Sequence, residues 1–382
     1  MKITILKDKL KEGLNIVERI SARSVNLPIL NNILFSTEKN FLNLTSTNLE
    51  IGIKWWSLVK TEREGKIAVP SKILSSFINF LPNKSVGLET KNLELKVECE
   101  NYQTLIKGID SEEFPIIPRV DCEDKIEIQA KAFCKSLASV VDIASSSSTK
   151  PEISGVYFLF QKDLITMAAT DSFRLGEKKI GPDFFSGNIS KEYSLIIPQR
   201  AAREIINIFG ESEGTMMVCF SSNQILFETF LLEASHPRIQ FTSRLVDGDY
   251  PNYQEIVPKK HETRLVFPLE EFANQVKSAS LFSGNVNEVK LKIDPQKNQV
   301  NFSSQNSELG EYKSFLTGKV EGRGCEISFN HRFLMDGLAG LNSLRLKKPE
   351  VVLELNGPEK PGVLRPKNGE GYLYLIMPIK NA

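Results

Sequence analysis

Apolar positions recur along this chain at helical spacing, and they recur in register. Leu10, Leu14 and Val17 stand at i, i+4, i+7; the same set returns at Phe133, Leu137 and Val140, and again at Phe272, Val276 and Ala279. Such spacing places each trio on one buried helix face. A second pattern, Leu74, Phe77, Ile78 and Leu81, returns at Ala202, Ile205, Ile206 and Phe209 and at Leu334, Gly337, Leu338 and Leu341. Gly337 alone breaks it. Each of these helices is preceded by a β-like run ending in proline or a capping residue: Ile67 to Ser71, Leu195 to Gln199 and Ile327 to Asn330. The predicted helices are 7–23, 71–81, 131–150, 199–209, 268–284 and 331–342.

Between them, short runs alternate with period two. Ile33 to Phe35 and Phe41 to Thr45, turning at Thr47-Asn48, are matched by Val156 to Phe158 and Leu164 to Ala168, turning at Thr170-Asp171. A weaker third copy is Val289 to Ile293, a turn at Asp294-Pro295, and Gln299 to Ser303. The chain reads as three repeats of about 125 residues, each helix, strands, helix, strands. A helix buries one stripe and a sheet one face, so an α+β fold follows, with helices gathered in one layer. The expected domains are 1–121, 126–256 and 261–382, joined by charged linkers at 119–125 and 258–263.

Composition adds exclusions. With 41% hydrophobic and 25% charged residues, the chain is globular. Its longest apolar stretch, Tyr372 to Ile379, is far shorter than the roughly 20 residues of a spanning helix, and the N-terminus lacks a secretory apolar region. A cytoplasmic protein with no membrane contact is expected. Five scattered cysteines without a Cys-x-x-Cys pair read as reduced, mostly buried thiols, and no metal site is expected.

Net charge is +1, yet the six predicted helices together carry +5 and the remainder −4. Positive charge gathered on one layer suggests a polyanion, although the signal is modest and the count alone favours a solvated helical surface. Lys72, Lys131, Lys135, Arg200, Arg203, Lys277 and Arg332 lie off the apolar stripes. No aromatic interleaving accompanies them, so contacts would be to phosphate and independent of base sequence.

Enzymatic readings find little support. His236, His261 and His331 stand far apart with no acidic or cysteine cluster at ligand spacing. There is neither a P-loop nor a dinucleotide fingerprint. Ser147 to Lys150 contains Ser-x-x-Lys without the accompanying Lys-Thr-Gly, which leaves a serine-rich polar loop or, as a weak alternative, a hydrolase using Ser147 and Lys150. No catalytic residue and no cofactor is assigned.

Four segments carry a resemblance: Leu27 to Leu30; Thr170-Asp171-Ser172-Phe173-Arg174-Leu175; Leu245 to Tyr253; and Met377-Pro378-Ile379-Lys380. Together, over the whole chain and in order, they resemble the bacterial β sliding clamps of DNA polymerase III. The resemblance implies three domains of the clamp fold, each with two helices on the inner layer and antiparallel sheets outside. It also implies a head-to-tail homodimer closing a six-domain ring around duplex DNA, a processivity factor without sequence specificity. Twelve helices about 10 Å apart give a lumen of roughly 28 Å, wide enough for a hydrated duplex about 20 Å across.

Further implications of the resemblance concern sites. A partner-peptide pocket would use Ile153, Thr170, Ser172, Phe173, Arg174, Leu175, Pro251, Ile256, Pro361, Leu375, Met377, Pro378 and Ile379. Its users would be the DNA polymerase III alpha subunit, the clamp loader, other polymerases and repair proteins, through short linear peptides. Arg23, Ser24 and Lys150 would extend the DNA-facing set, and Leu281 and Phe282 would lie at the dimer interface, with the first-domain side not legible. The chain departs from the family at Phe173, where histidine is common, at Glu359, where an apolar residue is commoner, and at Ser24, often basic. A three-repeat peptide-binding scaffold that never closes around DNA is the alternative reading.

Overall fold

The computed structural model describes residues 1–21, 27–147, 149–231, 236–344, 346–369 and 371–380. Its α-helices are α1 (Lys7–Val17), α2 (Ser71–Phe80), α3 (Ala130–Ala138), α4 (Gln199–Phe209), α5 (Leu269–Ser280) and α6 (His331–Ser343). Antiparallel strands fill the intervals, in the α+β arrangement the periodicity predicts. The first helix trio, Leu10, Leu14 and Val17, is at most 1% exposed, and its two counterparts are fully buried. Pro70 and Pro198 open α2 and α4, and the Asn330 side chain accepts from the Arg332 amide to cap α6. Gly337 has a packing reason: a Cβ there would stand 2.5 Å from the Tyr374 ring. No helix among the described residues is long and apolar enough to cross a membrane.

α3 is shorter than the predicted 131–150. The Ser139 hydroxyl bonds back to the Ser136 carbonyl, and the chain continues as a 3-10 turn over Val141–Ile143. The Gln199 side chain then takes up the Val141 and Ala144 carbonyls that a longer helix would have bonded internally.

The chain forms two compact units. The first comprises Met1–Ala130, Phe185–Ser190 and Glu211–Leu245; the second Lys131–Phe184, Lys191–Gly210 and Val246–Ala382. In the first, a five-stranded sheet runs in the order Lys60–Arg63, Lys2–Leu6, Ser85–Lys91, Glu94–Cys99, Tyr102–Lys107. A nine-stranded sheet is joined where Pro237–Arg244 pairs with Ile51–Leu58, Gln240 opposite Lys54. α1 covers one face of this sheet, its Gly13 lying against the Trp55 ring. The second unit repeats the plan. Its nine-stranded sheet is joined where Arg174–Ile180 pairs with Tyr372–Ile376, Leu175 opposite Leu375, and a four-stranded sheet ends on the edge strand Gly310–Thr317.

The cysteines depart from the sequence expectation. Cys122 and Cys219 form a disulfide, with Cα atoms 5.4 Å apart, while Cys99, Cys134 and Cys325 are free. The linker brings them together. On the sheet face opposite α1, Gly52, Thr242, Leu226 and Cys219 are successive cross-strand partners. Ile117, just before the linker, lies against Gly52, where a Cβ would come within 2.9 Å of it, and Cys122 reaches Cys219. A separation of 97 residues hides such a pair from spacing rules.

Candidate functional site

Of the sequence-predicted pocket residues, Leu175, Leu375 and Met377 come together in the second unit at one strand-to-strand join, beside the turn Thr170 to Arg174. Behind it is a buried cluster of Ala168, Leu175, Tyr253, Val363, Leu373 and Leu375, with Tyr157, Tyr250, Val257 and Met377 packed against it. The turn Thr170 to Arg174 forms one rim. The Thr170 hydroxyl donates to the Arg174 carbonyl at 2.6 Å and accepts from the Ser172 amide, while Asp171 Oδ1 accepts from the Phe173 and Arg174 amides. These bonds hold Ser172 at a φ of 79°, in the left-handed region. Phe173 is thereby turned outward, 62% exposed. The Met377 amide donates to the Phe173 carbonyl at 2.9 Å, and the Ile379 amide to the Ser328 carbonyl, so the C-terminal segment is laid along the same rim.

Arg174 is not a loose cation. Its Nε donates to Asp171 Oδ2 at 2.8 Å, one terminal nitrogen reaches Asp336, and the guanidinium lies 4.6 Å over the Phe333 ring. Burial alone would lower its pKa, but the Asp171 hydrogen bond, with Tyr374 and Asp336 adding to it, raises it above the ordinary arginine value. Phe173, its neighbour in the turn, stacks on the same Phe333 ring, with centroids 6.3 Å apart. Deeper in, the Tyr253 hydroxyl donates to Glu177 Oε2 at 2.7 Å; burial first and Glu177 second push that phenol's pKa up. A buried apolar cluster thus lies beside a fixed cation and an exposed aromatic side chain.

Ile153 is buried in a 3-10 turn before the strand Gly155–Phe160. Pro251 and Ile256 are exposed on either side of Tyr253; Pro361, Pro378 and Ile379 are half-buried, and Glu359 is exposed. Phe333 and Asp336 escaped the sequence reading because their positions on α6 look like an ordinary solvated face. Tyr250 and Tyr253 lay within the recognised motif without being assigned to the pocket.

The basic residues divide. Lys72, Lys131, Arg200, Lys277 and Arg332 are exposed on their helices, and Lys150 is exposed in its loop. Lys277 also lines a groove of about 900 Å³ between α5 and α6. Lys135 instead donates to the Leu344 carbonyl at 2.8 Å, tying α3 to the end of α6, and Arg203 pairs with Asp142 at 2.8 Å. Arg23 and Ser24 lie outside the described residues. Ser147 shares its hydroxyl with Thr149 at 2.8 Å. Among the described residues, no group of three or more His, Cys, Asp or Glu side chains is placed to hold a metal ion. Leu281, 70% exposed, and Phe282, stacked on Tyr312, follow α5.

Comparison with known proteins accounts for nearly the whole chain. Residues 1–118, 127–252 and 254–380 match, in order, the N-terminal, central and C-terminal domain models of the DNA polymerase III beta subunit. Beta sliding clamps of Staphylococcus aureus and Staphylococcus epidermidis are each 29% identical to it over 398 residues, covering 100% of this chain and 99% of theirs. The crystal structure of the Bacillus subtilis DNA polymerase sliding clamp superposes with a TM-score of 0.91 at 25% identity, covering 100% of both chains. A Pseudomonas aeruginosa clamp solved bound to griselimycin matches in fold with a TM-score of 0.91 at 19% identity, again over 100% of both.

Proposed function

Because this chain belongs to the DNA polymerase III beta-subunit family of sliding clamps, processivity factors of DNA replication, we propose that two copies join head to tail into a closed ring that slides on duplex DNA. One observation carries the proposal. Each unit has one complete nine-stranded sheet made by joining strands of successive repeats, and each keeps one incomplete sheet with an unpaired edge, Tyr102–Lys107 on the five-stranded and Gly310–Thr317 on the four-stranded. Edge-to-edge addition of those two sheets from different copies would give nine strands again. Long unpaired edges are pairing templates. Exposed apolar side chains stand on both edge strands, Leu105 on the first and Phe315 on the second, 56 and 59% exposed; Phe80 and Ile73 on α2 are 80 and 59% exposed, and Leu281, at the end of α5, 70%. The two patches differ, so the contact is head to tail, and with a half-turn per subunit it closes at two copies.

In this reading, Phe80 and Leu105 belong to the first-domain side of the interface and Leu281 and Phe282 to the third-domain side. The three-repeat scaffold that never closes leaves both edges unexplained. Lys72, Lys131, Lys150, Arg200, Lys277 and Arg332 supply a screened, sequence-independent attraction, while enclosure supplies retention. The pocket at Leu175, Leu375 and Arg174 receives short linear peptides of the polymerase III alpha subunit, the clamp loader and other polymerases and repair proteins. The chain acts in the cytoplasm as a tether and catalyses no reaction. Sedimentation tests the pairing of copies: wild type should run at twice its 43.0 kDa chain mass, and Leu105→Arg as a single chain. A wild-type monomer at micromolar concentration would refute it.

A further inference from the structure

A second pocket, of about 360 Å³, lies in the first unit where the linker crosses the nine-stranded sheet on the face opposite α1. Its polar lining is Lys54, Arg119, Gln240 and Thr242, and its walls include Trp56 and Ile117. Two cations face this space. Neither has a carboxylate partner among the described residues. Glu228, one strand beyond Gln240, is engaged by the Gln240 amide. Burial depresses the Lys54 ammonium, and the facing Arg119 depresses it further. Two like charges brought together over a half-buried floor are unfavourable unless something negative sits between them.

The linker's course makes this arrangement specific. Gly52 leaves room for Ile117, and the Cys122–Cys219 disulfide fixes the segment three residues beyond Arg119. Arg119 is therefore delivered onto the sheet at Lys54. Ammonium and guanidinium together offer several donors and two positive charges, with the Thr242 hydroxyl beside them. A phosphomonoester, carrying −1.5 to −2 near pH 7 and three acceptor oxygens, matches that set better than a singly charged carboxylate. The indole of Trp56 and the side chain of Ile117 give such a molecule an apolar wall. The volume lies within the range of small-molecule sites.

We propose that the pocket at Lys54 and Arg119 binds a small organic phosphomonoester. It is a site separate from the peptide pocket and independent of ring closure. Trp56 is the natural reporter, since Trp55, the other tryptophan, is packed in the core.

The test titrates full-length protein with phenyl phosphate, inorganic phosphate and benzoate at constant ionic strength, following tryptophan fluorescence and calorimetry. Phenyl phosphate should bind saturably and at least tenfold more tightly than benzoate. Arg119→Gln, an exposed linker position, should weaken it at least tenfold without lowering the thermal midpoint, and Lys54→Arg should retain most of the affinity. Binding of inorganic phosphate equal to that of phenyl phosphate would remove the organic part of the proposal. Absence of saturation, equal binding of benzoate, or affinity undiminished in Arg119→Gln would overturn it.

Discussion

Arg174 and Phe333 lie face to face, the guanidinium carbon 4.6 Å from the ring centroid, although 159 residues separate them in sequence. Phe173 stacks on the same ring. Phe333 thus braces both the cation and the exposed aromatic of one turn. A cation–π contact and an aromatic pair are each worth about 1 kcal/mol. Phe333→Ala should therefore weaken binding of a polymerase-derived hydrophobic peptide about tenfold, measured by fluorescence polarisation. Unchanged affinity would mean that Phe333 is not part of the site.

Gly337 faces Tyr374, whose hydroxyl is fixed on the Phe333 carbonyl at 2.6 Å. The ring cannot retreat without breaking that bond. In an open helix, Gly→Ala would stabilise by up to about 1 kcal/mol. Here overpacking, about 1–3 kcal/mol, outweighs it. Gly337→Ala should lower the thermal midpoint by a few degrees in calorimetry; a rise would contradict the packing account.

The disulfide is open to direct counting. Alkylation of denatured, unreduced protein should label Cys99, Cys134 and Cys325 only, and reduction should expose Cys122 and Cys219 as well. In the native fold, burial pushes the Cys134 thiol up to about 12, so it should stay unreactive at pH 9. Mass spectrometry reads both. Five labelled cysteines without reductant would return the linker to the reduced state that spacing alone suggests.

Glu12 of α1 pairs with Arg238 at 2.6 Å within the first unit. Burial works to raise the Glu12 pKa, but the Arg238 hydrogen bond and charge prevail and leave it below the ordinary 4.5. A depressed carboxylate contributes stability above its unfolded pKa and loses it as the pH falls through the folded one. The pair is partly exposed, so its contribution is under about 1 kcal/mol. Between pH 6 and 3, the melting temperature of Glu12→Gln should fall less steeply than that of wild type. Parallel curves would show that the pair is not coupled to folding.

Much of this architecture was legible because helix faces are local. Leu10, Leu14 and Val17 share one face by spacing alone, and three copies in register reveal the repeat. Gly337 looked like an exception until Tyr374 was placed against it. The joins were not legible: Gln240 meets Lys54, and Leu175 meets Leu375, across some 190 to 200 residues, and strand pairing at that distance leaves no periodic trace. Thr170 to Leu175 marked the candidate site, but Phe333 and Asp336 reach Phe173 and Arg174 only because α6 passes beside that turn. Lys135 and Arg203 read as free cations in sequence, and their partners, the Leu344 carbonyl and Asp142, come from elsewhere in the chain.

Enclosure of DNA is tested most directly by loading the protein onto nicked circular DNA with a clamp loader, washing in high salt and then cutting the circle once. A topological ring remains bound to the circle through the salt wash, because its retention does not depend on phosphate contacts, and leaves after linearisation. Loss from intact circles in high salt, or persistence on linear DNA with free ends, would contradict the account.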